Sequence, residues 1–395
     1  QGPIRIYEMG FSKEEPTDKE LENMVELADD CMKQGPLGMT SGLVYLPGEY
    51  TTQKELVELC KKVAKYDGFY ATHMRNEGDE IFEAMDEAID VARQSGVRLH
   101  ISHLKCLGHK NFGQTDKLFA KINKAREEGL KVSFDVYPYN AGMTSLSAML
   151  PPWMFEGGVD KMVERLTDEK NRKQIVHDIE NGLPGWQNFG GSLRSWDDVT
   201  IVSVTQDEDA WMEGMKLTEI AAKWDKDLYN TMFDILYKEN GRVQITIVLM
   251  DENDVQTILS HPDSMVGSDS MSLATEGLLA KTSTHPRAFG TQAKVLGEFV
   301  REKKCFSLEE GVKKLTYNPA KILKIEGRGL LKEGNFADIV IFNPDTIKDM
   351  ATYKNPKQYP VGIDTVIVNG VVAFEDGRQL EVLPGRFLKN SFASK

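Results

Sequence analysis

The chain has 395 residues, of which 41% are apolar and 28% charged, so it can bury a large core and hold more than one structural unit. A net charge of -13 without a basic cluster argues against a nucleic-acid partner, and no apolar run approaches the roughly 20 residues that span a bilayer. The four cysteines form no C-x-x-C pair, which predicts neither a disulfide framework nor a thiolate zinc site and favours a reducing, cytoplasmic compartment.

Strand and helix patterns alternate along the first part of the chain. A capping box, Thr17 with Glu20, opens a helix that ends at Gly35, and Thr52 with Glu55 opens the next one after the strand pattern PLGMTSGLVYL. Three further strand patterns follow, each separated from the next by a helix pattern: DGFYATHM, VRLHISHLK and LKVSFDVYPY. Repeated βα units indicate a parallel sheet with helices outside it, either a (β/α) barrel or a doubly wound sheet.

The alternation of strand and helix patterns is interrupted once, and the C-terminal tail then shows strand patterns only. Residues 157–241 hold four of the five tryptophans and a Gly-rich patch, so we predict an inserted subdomain there. The strand RVQITIVLM is expected to resume the barrel, and Asn369-Gly370 predicts a type I′ hairpin in the tail. The predicted units are the first part of a barrel over 1–156, the insertion over 157–241, the last part of the barrel over 242–325 and a small β-sandwich portion over 326–395.

Polar side chains follow three of the predicted strands. They are His73 in YATHM, His103 with Lys105 in ISHLK, and Asp269 in VGSDS. Strict alternation along VRLHISHLK places His103 and Lys105 on one face and directs His100 to the other, toward the helices. Because barrel active sites lie at the carboxyl ends of the strands, these residues are candidates for a shared site.

A hydrolytic metal centre needs neutral imidazoles as ligands and a carboxylate that takes a proton from water, and His73, His103 and Asp269 could supply those groups. Each signal by itself is weak, since a lone His or Asp at a strand end is more often structural. Their joint appearance on successive βα units is what favours a site. The remaining histidines considered are expected to have no role there: His100, His109, His177 and His261.

Seven stretches in this order resemble the N-acyl-D-amino-acid deacylase (D-aminoacylase) family of the amidohydrolase superfamily: GMTSGLVYLPG, YATHMRNE, ISHLK, DVYPYNAG, VGSDS, HPRAFGT and GRGLLKEGNFADIVIFNP. The last stretch is shared by many amidohydrolases, whereas HMRNE, ISHLK and HPRAFGT narrow the resemblance to the deacylases. It extends from about Gly2 to Arg386. It implies an α/β fold, a TIM-like (β/α)8 barrel of the metal-dependent amidohydrolase type with a small β-sandwich.

The resemblance also implies a metal site. His73 and His103 match the zinc-ligating histidines of the family, and Asp269 matches its catalytic aspartate. The implied cofactor is zinc, as one or two ions. The family's first barrel strand carries a His-x-His pair and the following strand a bridging cysteine or carboxylate, and the resemblance begins downstream of both. We therefore expect the first strands to be missing from this sequence, and to lie in a second chain or upstream of Gln1.

The same resemblance implies how a substrate carboxylate is held. A lysine matching Lys105 and an arginine matching Arg287 bind it in the family, and a tyrosine of the DVYPY stretch assists, for which Tyr137 and Tyr139 both qualify. An Arg fork suits bidentate carboxylate binding, and Lys adds a point charge.

The predicted function is zinc-dependent hydrolysis of the amide bond of a small-molecule N-acyl-D-amino acid to a carboxylate and a free D-amino acid. One alternative is a related amidohydrolase that acts on cyclic amides or D-dipeptides, as a dihydropyrimidinase or imidase does. The stretch HPRAFGT disfavours it. The other alternative is a metal-free barrel that acts as a binding subunit, which the absent first-strand ligands leave open.

Overall fold

The computed structural model describes residues 1–281 and 283–390. Strands are numbered here in chain order: β1 Gly38–Gly42, β2 Phe69–His73, β3 Arg98–Ile101, β4 Val132–Val136, β5 Ala141–Ser145, β6 Val199–Ser203, β7 Gln244–Val248, β8 Met265–Val266, β9 Ile339–Phe342, β10 Ile363–Val368, β11 Val371–Glu375 and β12 Arg378–Gln379. The helices are α1 Gly2–Met9, α2 Asp18–Lys33, α3 Gln53–Lys65, α4 Ile81–Ser95, α5 Thr115–Glu127, α6 Val159–Arg165, α7 Glu169–Asn181, α8 Phe189–Ser192, α9 Leu217–Trp224, α10 Leu228–Lys238, α11 Glu252–Ser260, α12 Arg287–Lys294, α13 Leu308–Leu315 and α14 Tyr317–Leu323.

A five-stranded parallel sheet in the order β1-β2-β3-β4-β8 forms the centre of the fold. Helices α3, α4 and α5 each link one of its strands to the next. Leu99, Ile101 and Phe134 point from the sheet into a core that also contains helix residues such as Leu56 and Met85, all of them at most 1% exposed. These βα units confirm the predicted α/β class, and within the described residues β1 and β8 are the edges of the sheet.

The predicted helix starts are present in the structure. The Thr17 side chain accepts from the backbone N–H of Glu20, whose carboxylate accepts in return from the N–H of Thr17, which completes the capping box of α2. The side chain of Thr52 caps α3 in the same way by accepting from the N–H of Glu55. The Glu55 carboxylate instead forms a fully buried ion pair with Arg5. Local sequence therefore fixed where these helices begin.

A second, antiparallel sheet has the order β5-β7-β6 and lies over its own apolar core. The stretch RVQITIVLM was expected to resume the parallel sheet, and this was wrong, because β7 pairs antiparallel with both β5 and β6. An apolar run of this length suits any buried strand, so its pattern does not reveal which sheet it joins. Since β5 precedes residue 157 and β7 follows residue 241, this sheet draws on both sides of the predicted insertion, and the unit boundaries stay a prediction.

The C-terminal part forms an antiparallel sheet in the order β12-β11-β10-β9. Asn369 and Gly370 join β10 to β11 with φ angles of 49° and 81°, and the two positive values confirm the predicted type I′ hairpin. Residues 391–395 of the predicted 326–395 unit lie outside the described residues. Among the helices that the structure describes, none combines the length and apolar character required to cross a membrane.

Candidate metal and substrate site

A cavity of about 360 Å³ opens at the carboxyl ends of the parallel strands. Its lining has a charged part, supplied mainly by residues that follow β2, β3 and β8, and an apolar part supplied mainly by β5, β7 and α8. The ionisable lining residues are Tyr45, His73, Glu77, His103, Lys105, Tyr137, Asp269 and Arg287. Six of the seven residues predicted from the sequence therefore meet in one cavity.

His73 is the last residue of β2, and its ring lies 4.6 Å from the ring of His103, centroid to centroid. Its Nε2 atom is buried and has no hydrogen-bond partner. Burial lowers the pKa of His73 to about 3, because an imidazolium would lose its hydration there and would face His103 and Lys105. His73 is thus neutral at physiological pH, the form that binds a metal.

His103 reaches the cavity by a route that alternation did not predict. Strand β3 ends at Ile101, and His103 lies beyond it with a φ of +41°, in the left-handed region that non-glycine residues seldom adopt. Cross-strand register puts His100 beside Ala71 and Ser133, on the same face of the sheet as His73. The expectation that His100 points toward the helices was therefore wrong, because the alternating run stops before His103.

Glu77 lies between the two histidines and was not predicted from the sequence to have a role. Its Oε2 is 2.8 Å from Lys105 Nζ and 3.4 Å from His73 Nε2, and its Oε1 is 3.0 Å from His103 Nδ1. Lys105 donates to the same Nδ1 atom at 2.5 Å, so that nitrogen has no proton for Glu77, and Oε1 is left without a hydrogen-bond partner. Burial opposes ionisation of Glu77, but His73, Lys105 and His103 together lower its pKa. In the sequence, Glu77 could have been identified by its position four residues after His73, in the stretch HMRNE.

These three residues have the composition of a divalent metal site. Their ligand atoms all lie within 4.8 Å of one another, and His73 and Glu77 each present a buried atom that has no hydrogen-bond partner. Imidazole nitrogens and a carboxylate oxygen are typical zinc ligands, and bonds of about 2.0 to 2.2 Å at tetrahedral angles separate such ligands by roughly 3.4 Å. The 3.4 Å between His73 Nε2 and Glu77 Oε2 suits such an ion, and His103 would have to exchange its hydrogen bond from Lys105 for the metal if it binds through Nδ1. The donor set therefore fits a metal.

Two cations and a second carboxylate complete the charged part of the cavity. The Arg287 guanidinium lies 2.8 Å from Asp269 Oδ2 and 4.7 Å from the centre of the Tyr137 ring. Lys105 Nζ lies 5.8 Å from the same ring. Arg287 is 6% exposed, and its buried Nε has no hydrogen-bond partner. Asp269 has a φ of +47°, a second left-handed residue at the site.

The structure separates the two tyrosines that the sequence left open. Tyr137 lines the cavity between Lys105 and Arg287, and burial raises the pKa of its phenol, so it stays protonated. The Tyr139 hydroxyl donates instead to Asp349 at 2.7 Å, and Tyr139 does not line the cavity. The structure thus brings Tyr137, and not Tyr139, to the site.

Two further residues support the site without having been predicted. His285 is fully buried, accepts from the backbone N–H of Arg287 at 2.9 Å and contacts the carbonyl of Ala141. Asp135 accepts from the backbone N–H of His103. The four histidines that were expected to have no role all lie outside the cavity lining: His100, His109, His177 and His261.

Comparison with known proteins agrees with this geometry. A profile of the amidohydrolase family matches residues 204–374. N-acyl-D-glutamate deacylase of Alcaligenes xylosoxydans xylosoxydans is 31% identical over 386 residues, which cover 98% of this chain and 67% of that protein. D-aminoacylase of the same organism is 31% identical over 377 residues, covering 95% of this chain and 66% of that protein.

A solved structure of N-acyl-D-glutamate deacylase from Bordetella bronchiseptica, complexed with zinc and a phosphonate inhibitor, superposes with a TM-score of 0.76. It is 29% identical, and the match covers 95% of this chain and 68% of that one. The chain therefore spans about two thirds of the length of these relatives. The resemblance inferred from the motifs is confirmed: the chain belongs to the N-acyl-D-amino-acid deacylase family of the amidohydrolases.

Proposed function

We propose that this protein hydrolyses the amide bond of N-acyl-D-amino acids with the help of zinc, and releases a carboxylate and a free D-amino acid. The observation that carries the proposal is one cavity in which His73, Glu77 and His103 converge beside the cations Lys105 and Arg287. The two histidines and Glu77 suit a metal ion, whereas the two cations suit an anion. An N-acyl amino acid presents an amide and a carboxylate at a fixed short separation, as this pairing requires.

His73, His103 and Glu77 would hold the ion. Zinc, when bound, polarises the amide carbonyl and lowers the pKa of a water molecule, which makes hydrolysis possible at neutral pH. The relative from Bordetella bronchiseptica contains zinc together with an inhibitor that mimics the tetrahedral intermediate of its reaction. In this proposal the three residues supply part of the ligand set, because the family resemblance also implies a His-x-His pair.

Asp269 is the proposed general base and acid. It lines the cavity, and its Oδ2 lies 2.8 Å from the guanidinium of Arg287. In this role its carboxylate accepts a proton from the attacking water and then donates it to the amine nitrogen as the amide bond breaks. Arg287 holds the side chain in place for both transfers.

Lys105 and Arg287 are the proposed binding groups for the α-carboxylate. Both are 6% exposed, and such buried cations require an anionic partner. Part of that demand is met by Glu77 and Asp269, and the unpartnered Nε of Arg287 remains to donate to a ligand. The protonated Tyr137 lies between the two cations and can donate a hydrogen bond to the same carboxylate.

The test is a substrate panel with the complete protein, comparing N-acetyl-D-methionine, its L-enantiomer and the cyclic amide hydantoin. We expect release of acetate from the D-substrate, its loss after zinc is removed with a chelator, and its return when zinc is added. Ring opening of hydantoin in preference to deacylation would favour the cyclic-amide alternative. Deacylation that persists without any metal would exclude the zinc mechanism.

The cellular compartment is proposed to be the cytoplasm.

A further inference from the structure

The position of His103 is unusual for a residue that follows a β-strand. In register, Ile101 pairs with Thr72 and Phe134, on the face of the sheet that packs against the helices. Continued alternation would send His103 to that same buried face. Instead the chain turns after Ile101, with left-handed φ at His103, and the imidazole emerges in the cavity.

Asp135 makes the contacts that hold this turn. It follows Ser133 and Phe134 on β4, and its Oδ1 accepts from the backbone N–H of His103 at 2.5 Å. Its backbone carbonyl accepts from the N–H of the next residue, Leu104, at 2.8 Å. Two consecutive amides of the turn are thus bound to one residue of the neighbouring strand.

The second carboxylate oxygen of Asp135 also has close neighbours. Its Oδ2 lies 3.0 Å from His100 Nε2, and the other ring nitrogen of His100 lies 2.9 Å from the hydroxyl of Ser133. A Cβ at Gly267 would lie 3.0 Å from Asp135 Oδ2, so a side chain there would press on the carboxylate. The carboxylate therefore has one position, fixed by β3, β4 and the segment that leads to Asp269.

We propose that Asp135 is a positioning residue that turns His103 out of strand alignment and into the metal site. The inference rests on the proposed function, because His103 is one of the proposed ligands. Asp135 does not line the cavity, so in this role it acts through the backbone of His103. His100 and Ser133 serve the same end by orienting the carboxylate.

Two substitutions separate this role from a simple effect of negative charge. Asp135→Asn keeps an oxygen for the His103 N–H but loses the charge, whereas Asp135→Glu keeps the charge but displaces the oxygen by one methylene. The proposal predicts that zinc affinity of the complete protein stays within about threefold in the Asn variant and falls about tenfold or more in the Glu variant. A long-range charge effect predicts the opposite order.

A control is available at Asp254, which likewise accepts from a backbone N–H, that of Gly113, and does not line the cavity. Asp254→Glu should leave zinc affinity unchanged. A second readout does not involve the metal: in metal-free protein, hydrogen exchange of the His103 and Leu104 amides should rise about tenfold in Asp135→Glu and little in Asp135→Asn.

The outcomes are distinguishable. Loss of zinc affinity in Asp135→Asn, or unchanged affinity in Asp135→Glu, overturns the positioning role while wild-type zinc binding still supports the proposed function. Absence of zinc binding in the wild type contradicts the proposed function, and the exchange rates at His103 then still decide whether Asp135 holds the turn. Should Asp135→Glu not fold, the Asn variant alone discriminates, because the two explanations predict opposite results for it.

Discussion

Replacing Arg287 by Met tests how the substrate carboxylate is bound. In the structure this cation is buried, pairs with Asp269 at 2.8 Å, lies over Tyr137 and keeps one donor, Nε, without a partner. A hydrogen bond to a charged group contributes about 1.5 to 3 kcal/mol. Two such bonds to an α-carboxylate, less the cost of desolvating the ions, leave about 3 kcal/mol, or roughly a 100-fold loss of kcat/KM.

The substitution also breaks the ion pair with Asp269, so a loss of activity by itself would be ambiguous. The assay therefore compares N-acetyl-D-methionine with N-acetyl-D-methioninamide, which retains the scissile amide but has no carboxylate. Damage to Asp269 lowers kcat/KM for both compounds by the same factor, and that factor cancels in their ratio. Loss of the carboxylate contact lowers the ratio itself by roughly 100-fold.

Arg194→Met is a surface control, since Arg194 is exposed, lies 5.6 Å over the ring of Phe112 and is outside the cavity lining. The ratio of kcat/KM for N-acetyl-D-methionine to kcat/KM for the amide should be the same in this variant as in the wild type. If Arg287→Met lowered kcat/KM equally for the acid and for the amide, the carboxylate-binding role would be refuted, and Arg287 would act only through Asp269.

Three further predictions concern the base, the metal and a buried acid. Asp269→Asn should lower kcat by about 1000-fold with zinc content unchanged by elemental analysis, because the proton acceptor is lost while the metal ligands remain; substantial residual turnover would contradict the assignment. Saturating zinc at about 100 times its Kd should add about 2.7 kcal/mol to the free energy of unfolding, seen as a lower melting temperature after chelation, and an unchanged melting temperature would argue against a native-state site. Burial raises the pKa of Glu49 from 4.5 to about 7, so between these pH values the folded state keeps a proton that the unfolded state releases. The contribution of Glu49 to the free energy of unfolding is therefore complete below pH 4.5 and is lost as the pH rises to 7. Glu49→Gln should therefore gain about 2 kcal/mol at pH 8 and little at pH 4.5 in urea denaturation, and equal effects at both pH values would contradict this.

The sequence was sufficient to find most of the candidate site. The motifs place His73, His103, Lys105, Asp269 and Arg287 after strands or at a helix start, and a parallel sheet brings its carboxyl ends together. Helix starts and the hairpin at 369–370 were equally accessible, because caps and turn residues act locally. Helix caps and hairpin turns depend on interactions between residues that are close in the sequence, so the sequence pattern alone predicts them.

Errors arose where the outcome depends on neighbouring strands. Alternation was extended from Ile101 to His103, but the strand ends first, and the left-handed turn is hydrogen-bonded to Asp135 of the next strand. The direction of His100 was wrong for the same reason. Likewise β7 has an apolar pattern that both sheets would accept, and its antiparallel pairing is decided by β5 and β6.

Glu77 and Tyr139 show a third limit. Glu77 received no role because an acidic residue four positions after a histidine is common in exposed helical turns, and only the fold shows that it is buried between two imidazoles. Tyr137 and Tyr139 are equivalent in the sequence, and their different partners, Arg287 and Asp349, come from distant segments. Roles that depend on long-range packing require coordinates.

The central claim is that His73 and His103 hold a zinc ion beside Glu77 in a cavity that binds N-acyl amino acids. An anomalous difference map recorded at the zinc absorption edge, from crystals of the complete protein, tests it most directly. The account predicts a peak about 2.0 to 2.2 Å from both imidazoles and within reach of the Glu77 carboxylate. A zinc-loaded crystal with no peak between the two imidazoles would contradict it.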